Sequence, residues 1–377
     1  MKFLRLAFYV LIAQLVLSGC AGEGVEETSS SSASEINFDA YVGRNASTRS
    51  DVTDMKFLQS GEWNAGFGVF ARHKHTDGKT ITSLMDTEHV YWKGNHWGYD
   101  HIRFWPSSGT VDFYAFAPYS PLVTMGKLRD DLADKLVDKT HSKDETYINF
   151  PSNMSPVDLI WANQPNQTAP TSPKSKVKFQ FKHALVRLGF DITANQVLEE
   201  KGAVITVDKV ILYGANETSG IFLMAGYLNL KTGDWVPYNN NFSWFYTWTP
   251  TGKVDGKNDE QLKIDGPIYK LSAPQLDNNT PSIANEKDSY IFIIPQDPPK
   301  NFNLMITYRV QQGDLEETVT VRKNLLDVLP KDRNPFGVGG KAYTFHFKLS
   351  LDPVKFDVTT TVGNWIGNVV EDEITIQ

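Results

Sequence analysis

Apolar and polar residues alternate strictly near the N-terminus. The apolar positions of this alternation are Ile36, Phe38, Ala40 and Val42. A period of two residues predicts a β-strand with one buried face. Gly43 ends the alternation, and Arg44 and Arg49 follow in a small, polar stretch that predicts an exposed connection. The residues therefore predict a strand followed by a site open to trypsin-like cleavage.

A cut in this connection would separate the strand from the rest of the chain. The folded domain would then expose an apolar groove and an unpaired sheet edge, which a strand from another subunit could fill. The alternative from the same residues is an ordinary first strand followed by a solvated loop.

Further along, short runs rich in aromatic and β-branched residues recur between turn signals. They cover residues 66–72, 89–92, 102–105, 111–116, 157–161, 177–181, 185–192, 203–213, 290–294, 304–310, 317–321, 343–351 and 356–362. One helix is predicted over 125–138, where leucines recur every four residues. Many short strands without βα alternation predict an all-β protein built of antiparallel sandwiches.

The first 20 residues predict a lipoprotein signal peptide. Lys2 and Arg5 precede an apolar run at 6–17, which is too short to cross a bilayer comfortably, and LSGC at 17–20 is a lipobox. Cys20 is the single cysteine, so lipidation explains it better than a disulfide. The alternative is an ordinary secretory signal that ends in cysteine.

Composition divides the rest of the chain into three parts. Residues 21–34 are rich in Ser, Glu and Gly and predict a flexible tether. Residues 163–176 carry three prolines and no large apolar side chain. They predict a boundary between an N-terminal β-sandwich domain at 35–176 and a C-terminal β-sandwich domain at 177–377. A length of 377 residues also suits two domains of about 150 residues each.

Charge and motifs argue against several functions. The formal charge of −7 is unfavourable for binding nucleic acid. The chain has no GxSxG, HExxH or Walker motif, so we predict no enzymatic activity and no cofactor. Five of the eight histidines fall between His73 and His101. Clustering in sequence does not supply three or four converging ligands, so we predict no metal site, with His73 and His75 on one strand face as the weak alternative.

Two tryptophans suggest a ligand site. Trp92 and Trp97 flank the turn-like residues 93–95. Displayed at a loop tip, their rings would form a platform for a sugar. The alternative is packing in the core.

Taken together, the ordered landmarks resemble the fimbrillin-like lipoproteins of the type V pilin superfamily. They are the lipobox at Cys20, the strand-then-arginine segment ending at Thr48-Arg49, and the motifs GFGVFA (66–71), FWPSSGTVDFYAFAP (104–118), FKHALVRLGFDI (181–192), YIFIIPQ (290–296) and TVGNWIGNVVEDEITIQ (361–377). The resemblance implies two transthyretin-like antiparallel β-sandwich domains in tandem, to which the residues add a short helix in the first.

The same resemblance implies how the protein works. An arginine-specific protease would cut at Arg49 or Arg44, and subunits would assemble by donor-strand exchange. The implied partners are other pilin subunits, the outer membrane through the lipid, and host proteins or glycans. We therefore predict an outer-membrane lipoprotein at the cell surface, a fimbrial subunit or accessory component with a role in adhesion. The alternative is a surface lipoprotein that binds glycans without polymerising.

The last nine residues, 369–377, predict one further strand in which Ile374 and Ile376 alternate with polar residues. The resemblance supplies a partner for it, the groove emptied in the next subunit when the first strand leaves. The alternative is that this segment completes a sheet of its own subunit, and its three acidic residues at 371–373 are unfavourable for burial.

Overall fold

β-Strands are the dominant element of the structure, which is a computed structural model. It describes residues 34–43, 53–136, 139–151, 158–194, 202–217, 219–223, 225–238, 244–248, 253–254, 262–263, 269–272, 291–329, 336–349 and 357–364. All of these residues belong to one unit that begins at Ser34. Within them, no helix is both long and apolar enough to cross a membrane.

The strands follow one another with few helical turns between them. The first nine are β1 Phe38–Val42, β2 Phe67–Lys74, β3 Ile81–Trp92, β4 Trp97–Gly98, β5 Thr110–Ala117, β6 Met125–Gly126, β7 Tyr147–Pro151, β8 Ile160–Gln167 and β9 Val177–His183. The others are β10 Val186–Ala194, β11 Ala203–Tyr213, β12 Ala225–Asn229, β13 Trp235–Pro237, β14 Trp244–Trp248, β15 Lys253–Val254, β16 Leu262–Lys263, β17 Tyr269–Ser272, β18 Ile291–Ile293, β19 Asn303–Gln312, β20 Leu315–Asn324, β21 Lys341–Leu349 and β22 Asp357–Asn364. The helical turns are α1 Met55–Leu58 and 3₁₀ helices at Asp130–Lys135, Lys139–Lys143 and Leu325–Val328.

These strands form four sheets among the described residues. A seven-stranded sheet has the order β1-β9-β8-β5-β2-β3-β4. Two further sheets have the orders β16-β10-β21-β22, with β18 also on β10, and β17-β14-β11-β19-β20, with β15 also on β11. A small sheet, β13-β12-β7-β6, joins strands from both halves of the chain. The arrangement confirms the all-β class. Two strand pairs, β1/β9 and β10/β21, are parallel, which the antiparallel prediction did not include.

Burial follows the alternation along each strand. In β9, Val177, Phe179 and Phe181 are buried and the residues between them are exposed. They contribute to a core enclosed by the seven-stranded sheet. A second core contains residues of β10, β11, β19 and β21, and a third lies between the two. The transthyretin-like identity of these layers remains a prediction.

The proline-containing stretch at 163–176 begins inside a strand. β8 continues to Gln167, and beyond Trp161 its only pairing partner among the described strands is β5. Pro165 lies where the β5/β8 register shifts, and a bulge at a sheet edge tolerates a residue without an N–H. β9, directly after the predicted boundary at 176, lies in the same sheet between β1 and β8. The division into two domains remains a prediction.

The passage from β9 to β10 is buried; we call His183, Ala184 and Leu185 the β9–β10 junction. The Ala184 N–H donates to the carbonyl of Leu159 (2.8 Å), and its carbonyl accepts from the Trp235 indole N–H (2.8 Å). A Cβ on Gly339 would lie 2.4 Å from the Ala184 carbonyl oxygen, so the neighbouring loop requires glycine there. The junction is therefore packed on several sides.

The helix predicted over 125–138 is wrong. Met125–Gly126 is strand β6, paired with β7, and Asp130–Lys135 is a short 3₁₀ helix. The leucine spacing nevertheless has a structural role, since Leu128 and Leu132 are buried in one small cluster. The extended residue Arg129 and the 3₁₀ turn after it suffice to bury both leucines. The pairing of β6 with β7 overrides the helical tendency of so short a segment.

Candidate functional site at strand β1

Strand β1 lies at the end of the seven-stranded sheet. It pairs in parallel with β9, Phe38 opposite Val177 and Val42 opposite Phe181. The inward side chains of β1 are buried, namely Phe38 (1% exposed), Ala40 (9%) and Val42 (3%), and so is Ile36 (0%), two residues before the strand. The outward Tyr41 is 55% exposed. The predicted strand and its buried face are thus confirmed.

Phe38 is the aromatic centre of this first core. Its ring stacks on Phe179, with centroids 5.8 Å apart and planes at 16°. It also meets the rings of Phe67 at 6.5 Å, Tyr99 at 5.6 Å and Phe113 at 5.9 Å. Aromatic pairs at such distances add to the free energy gained by burying their surface. The first strand therefore supplies part of the core itself.

The start of β1 is held by a second element, residues 103–105, which we call the 103–105 segment. The Ile36 N–H donates to the Arg103 carbonyl (2.9 Å), and the Trp105 N–H donates to the Ser34 carbonyl (3.0 Å). The Tyr99 hydroxyl donates to the Ile36 carbonyl (2.7 Å), and burial raises the pKa of Tyr99, which keeps this donor protonated. The strand predicted at 102–105 is wrong: within this range only Phe104 forms a bridge, an isolated one with Glu35.

Five of the predicted site residues lie outside the described residues: Cys20, Arg44, Arg49, Ile374 and Ile376. Lipidation, cleavage and strand donation therefore stay predictions. The described chain leaves β1 at Gly43 and resumes at Thr53.

Thr53 begins the next described segment in a buried polar network, which we call the Thr53 anchor. Its N–H donates to Oδ2 of Asp158 (2.8 Å), and its hydroxyl donates to the Asp158 carbonyl (2.5 Å). Oδ1 of Asp158 lies 3.0 Å from Nδ1 of His183, at the end of β9. The three residues are 4%, 1% and 5% exposed. No sequence pattern predicts this network, because its members are 105 and 25 positions apart.

Loss of β1 would change the first core in two ways. The backbone N–H and C=O groups of β9 that face β1 would lose their partners, which leaves an open sheet edge. Apolar side chains that now contact β1, including Phe179 and Phe113, would line a groove. An edge above an apolar groove is the kind of site that binds an added strand.

The two tryptophans do not form a displayed platform. Trp97 is 4% exposed, and its ring packs against Phe67 at 5.1 Å. Trp92 meets Trp97 edge-on at 5.2 Å and is half-buried. Display of both rings at a loop tip is therefore wrong. In the hairpin β3/β4, Trp92 lies opposite Trp97, and the side chain of Trp97 is buried in the core.

The histidine pair makes ordinary contacts. The rings of His73 and His75 lie 4.2 Å apart. Nε2 of His73 is 2.7 Å from the Ser108 carbonyl, and Nε2 of His75 is 3.1 Å from the Thr82 hydroxyl. In the part of the chain that the structure describes, no three His, Cys, Asp or Glu side chains are placed to hold a metal ion.

Comparison with known proteins agrees with this architecture. The chain is 24% identical over 393 residues to the fimbrium subunit Fim1C of Phocaeicola vulgatus, covering 94% of this chain and 95% of the relative. The crystal structure of a fimbrial protein from Bacteroides vulgatus matches with a TM-score of 0.57 and 18% identity, over 88% of this chain and 99% of that one, which shows a shared fold. Residues 48–365 match the model of the fimbrillin-like family. The chain therefore belongs to the fimbrillin-like family.

Proposed function

We propose that this protein is a subunit or accessory component of a cell-surface fimbria, exported as a lipoprotein precursor and involved in adhesion. The observation that carries the proposal is the position of β1. It is the first described strand of the chain, lies at a sheet edge, and fills the first core with Ile36 and Phe38. Such a strand can be released by one cut and replaced by one strand. A relative named as a fimbrium subunit supports the same role.

Release would follow proteolysis in the connection between Gly43 and Thr53. Arg49 and Arg44 are the two arginines of that stretch, and an arginine-specific protease would cut at either. The Thr53 anchor supports this proposal, because Thr53, four residues after Arg49, is hydrogen-bonded to Asp158, which in turn contacts His183 at the end of β9. The new chain end would stay attached to the body after β1 has left.

Assembly would follow when a strand of a second subunit enters the groove. Backbone hydrogen bonds to β9 would supply affinity, and the apolar pockets would select side chains at every second position. The C-terminal segment 369–377 is the proposed donor, with Ile374 and Ile376 as its inward residues. We propose that the same contact, repeated, builds the fimbria.

The test treats the purified precursor with an arginine-specific protease and reads the products on non-boiled gels. We expect a new N-terminus at Ser50 or Asn45, an intact body, and a ladder of polymers. The matched control carries Arg44→Lys and Arg49→Lys, which keep the positive charges but remove the specificity of the protease; it should stay uncut and monomeric.

A third protein separates cleavage from donation. A precursor lacking 369–377 should be cut normally and yet form no ladder. If the truncated, cut protein polymerises as readily as the full one, the C-terminal segment is not the donor. If the full protein is cut, stays folded and remains a monomer, polymerisation by strand exchange is refuted.

Lipid attachment is a separate prediction. The charged start, the short apolar run and the LSGC junction lead us to expect a lipid on Cys20. Cells fed a labelled fatty acid should label the wild-type protein and leave Cys20→Ser unlabelled. The unlabelled variant should also fail to fractionate with membranes, since the attached chains supply the anchoring. Equal labelling of both proteins contradicts the prediction.

A further inference from the structure

We infer that the donor strand enters the groove in the direction opposite to β1, antiparallel to β9, with Ile374 at the site of Phe38 and Ile376 at the site of Ile36. This inference rests on the proposed strand exchange and adds the direction and register of the partner strand. It follows from the depth of each groove position and from the order of residues in 369–377.

The groove has four inward positions of unequal depth. Ile36 and Phe38 are the most deeply buried, at 0% and 1% exposure. Val42 is also buried at 3%, whereas Ala40 is both the smallest side chain and the most accessible at 9%. A replacement strand therefore needs large apolar residues at the first two positions and tolerates another residue best at the third.

The C-terminal segment offers one matching face. With Ile374 and Ile376 turned inward, the same face carries Asp372 and Val370. Reading backwards from the C-terminus, the order is Ile376, Ile374, Asp372, Val370. This order places isoleucines at the sites of Ile36 and Phe38, the valine at the site of Val42, and the aspartate at the shallow site of Ala40.

The forward direction fits less well on this face. A forward strand that fills all four sites with residues up to Ile376 places Asp372 at the site of Phe38. Shifting it by two or four residues places Asn368 at the site of Ile36 or of Phe38. A forward strand that puts Ile374 and Ile376 there ends at position 377 and leaves the third and fourth sites empty. Burying a carboxylate or an amide without partners is costly, and an unfilled apolar site forfeits packing. The reversed strand fills all four sites and confines its one carboxylate to the most accessible of them, the site of Ala40.

Charge supports this segment as the occupant. On the outward face of the sheet, Asp39 now lies opposite Lys178. The reversed register puts Glu373 in the place of Asp39 and so keeps a carboxylate beside that lysine. Antiparallel pairing is also slightly more stable per residue than the parallel β1/β9 pairing that it replaces. The charge pairing is thus the same with either strand, and the antiparallel pairing favours exchange over return of β1.

Disulfide trapping between two subunits tests the direction. All proteins carry Cys20→Ser, which removes the only native thiol. The acceptor lacks 369–377, is cut at Arg49, and carries Lys178→Cys or Gln180→Cys. The donor is uncut and carries Glu371→Cys or Glu373→Cys. Each acceptor can only receive a strand and each donor can only supply one, so any linked dimer reports a single defined contact.

The reversed register places residue 373 opposite 178 and residue 371 opposite 180. We expect these two pairs to give about tenfold more linked dimer than the exchanged pairs, because only directly opposite cysteines reach disulfide distance. Only both expected pairs together identify the reversed strand, since each alone also fits one forward register. The exchanged pairs, 371 with 178 and 373 with 180, are those of the forward strand that places Asn368 at the site of Ile36. Their dominance overturns the inference. Lys178 and Gln180 are exposed, and residues 371 and 373 face outward in the proposed register, so the substitutions leave the groove unchanged.

The parent proteins without introduced cysteines show whether a complex forms at all, by gel filtration. A complex in which neither set of cysteines links overturns the proposed register. The absence of any complex refutes the strand exchange itself and removes the basis of the inference. Failure of the proposed function and failure of the direction therefore give different results.

Discussion

Replacing Phe38 with alanine should destabilise the uncut precursor by about 3 to 5 kcal/mol, the usual cost of truncating a buried phenylalanine. The ring is 1% exposed and meets four other aromatic rings, so the cavity left behind has rigid walls. Denaturant unfolding followed by tryptophan fluorescence measures the change.

Tyr41→Ala is the matched control for Phe38→Ala. Tyr41 lies on the same strand and is 55% exposed, so its loss should change the free energy of unfolding by no more than about 0.5 kcal/mol. After the cut at Arg49 and release of β1, Phe38→Ala should have no effect on the remaining body. A variant as stable as the wild-type precursor would show that β1 does not contribute to the core.

Replacing Asp158 with alanine should destabilise both the precursor and the cut body, by about 2 to 4 kcal/mol, because buried hydrogen-bond donors lose their acceptor. The substitution removes the acceptor for the Thr53 N–H and the partner of His183 inside a nearly inaccessible site. The effect should survive cleavage because Thr53 lies beyond Arg49. Thermal unfolding of both forms measures it.

Asp134→Ala is the control for this substitution. Asp134 contacts Lys139 at 3.0 Å but its side chain is 91% exposed, and exposed ion pairs contribute about 0 to 1 kcal/mol. If Asp158→Ala weakens the precursor and leaves the cut body unchanged, the Thr53 anchor does not hold the new chain end, and that part of the proposal fails.

The sequence predicted β1 well because its information is local. Alternation over a few residues determines both the strand and its buried face, and the burial of Ile36 and Phe38 agrees with it. The parallel pairing with β9 was not predictable in this way, because the partner lies more than 130 positions away and alternation carries no direction.

The missed features depend on contacts between distant residues. No pattern in the sequence connects Thr53 with Asp158, which lie 105 positions apart. The helix predicted over 125–138 failed for the converse reason: its leucine spacing was real, but pairing of β6 with β7 determined the backbone. The turn-like residues 93–95 left display of Trp97 at a loop tip open, because its burial comes from Phe67 in β2, on the other side of β3.

The β9–β10 junction has a mechanical consequence for a fibre. A strand seated beside β9 would pull along β9, and tension would pass through Ala184 directly into β10 of the second sheet. Ala184 is hydrogen-bonded on both its N–H and its carbonyl, and it lies under Gly339. This connection contains no loosely held residues that could extend under load. A fibre loaded through β9 would therefore pass the load to the second sheet without lengthening at this junction.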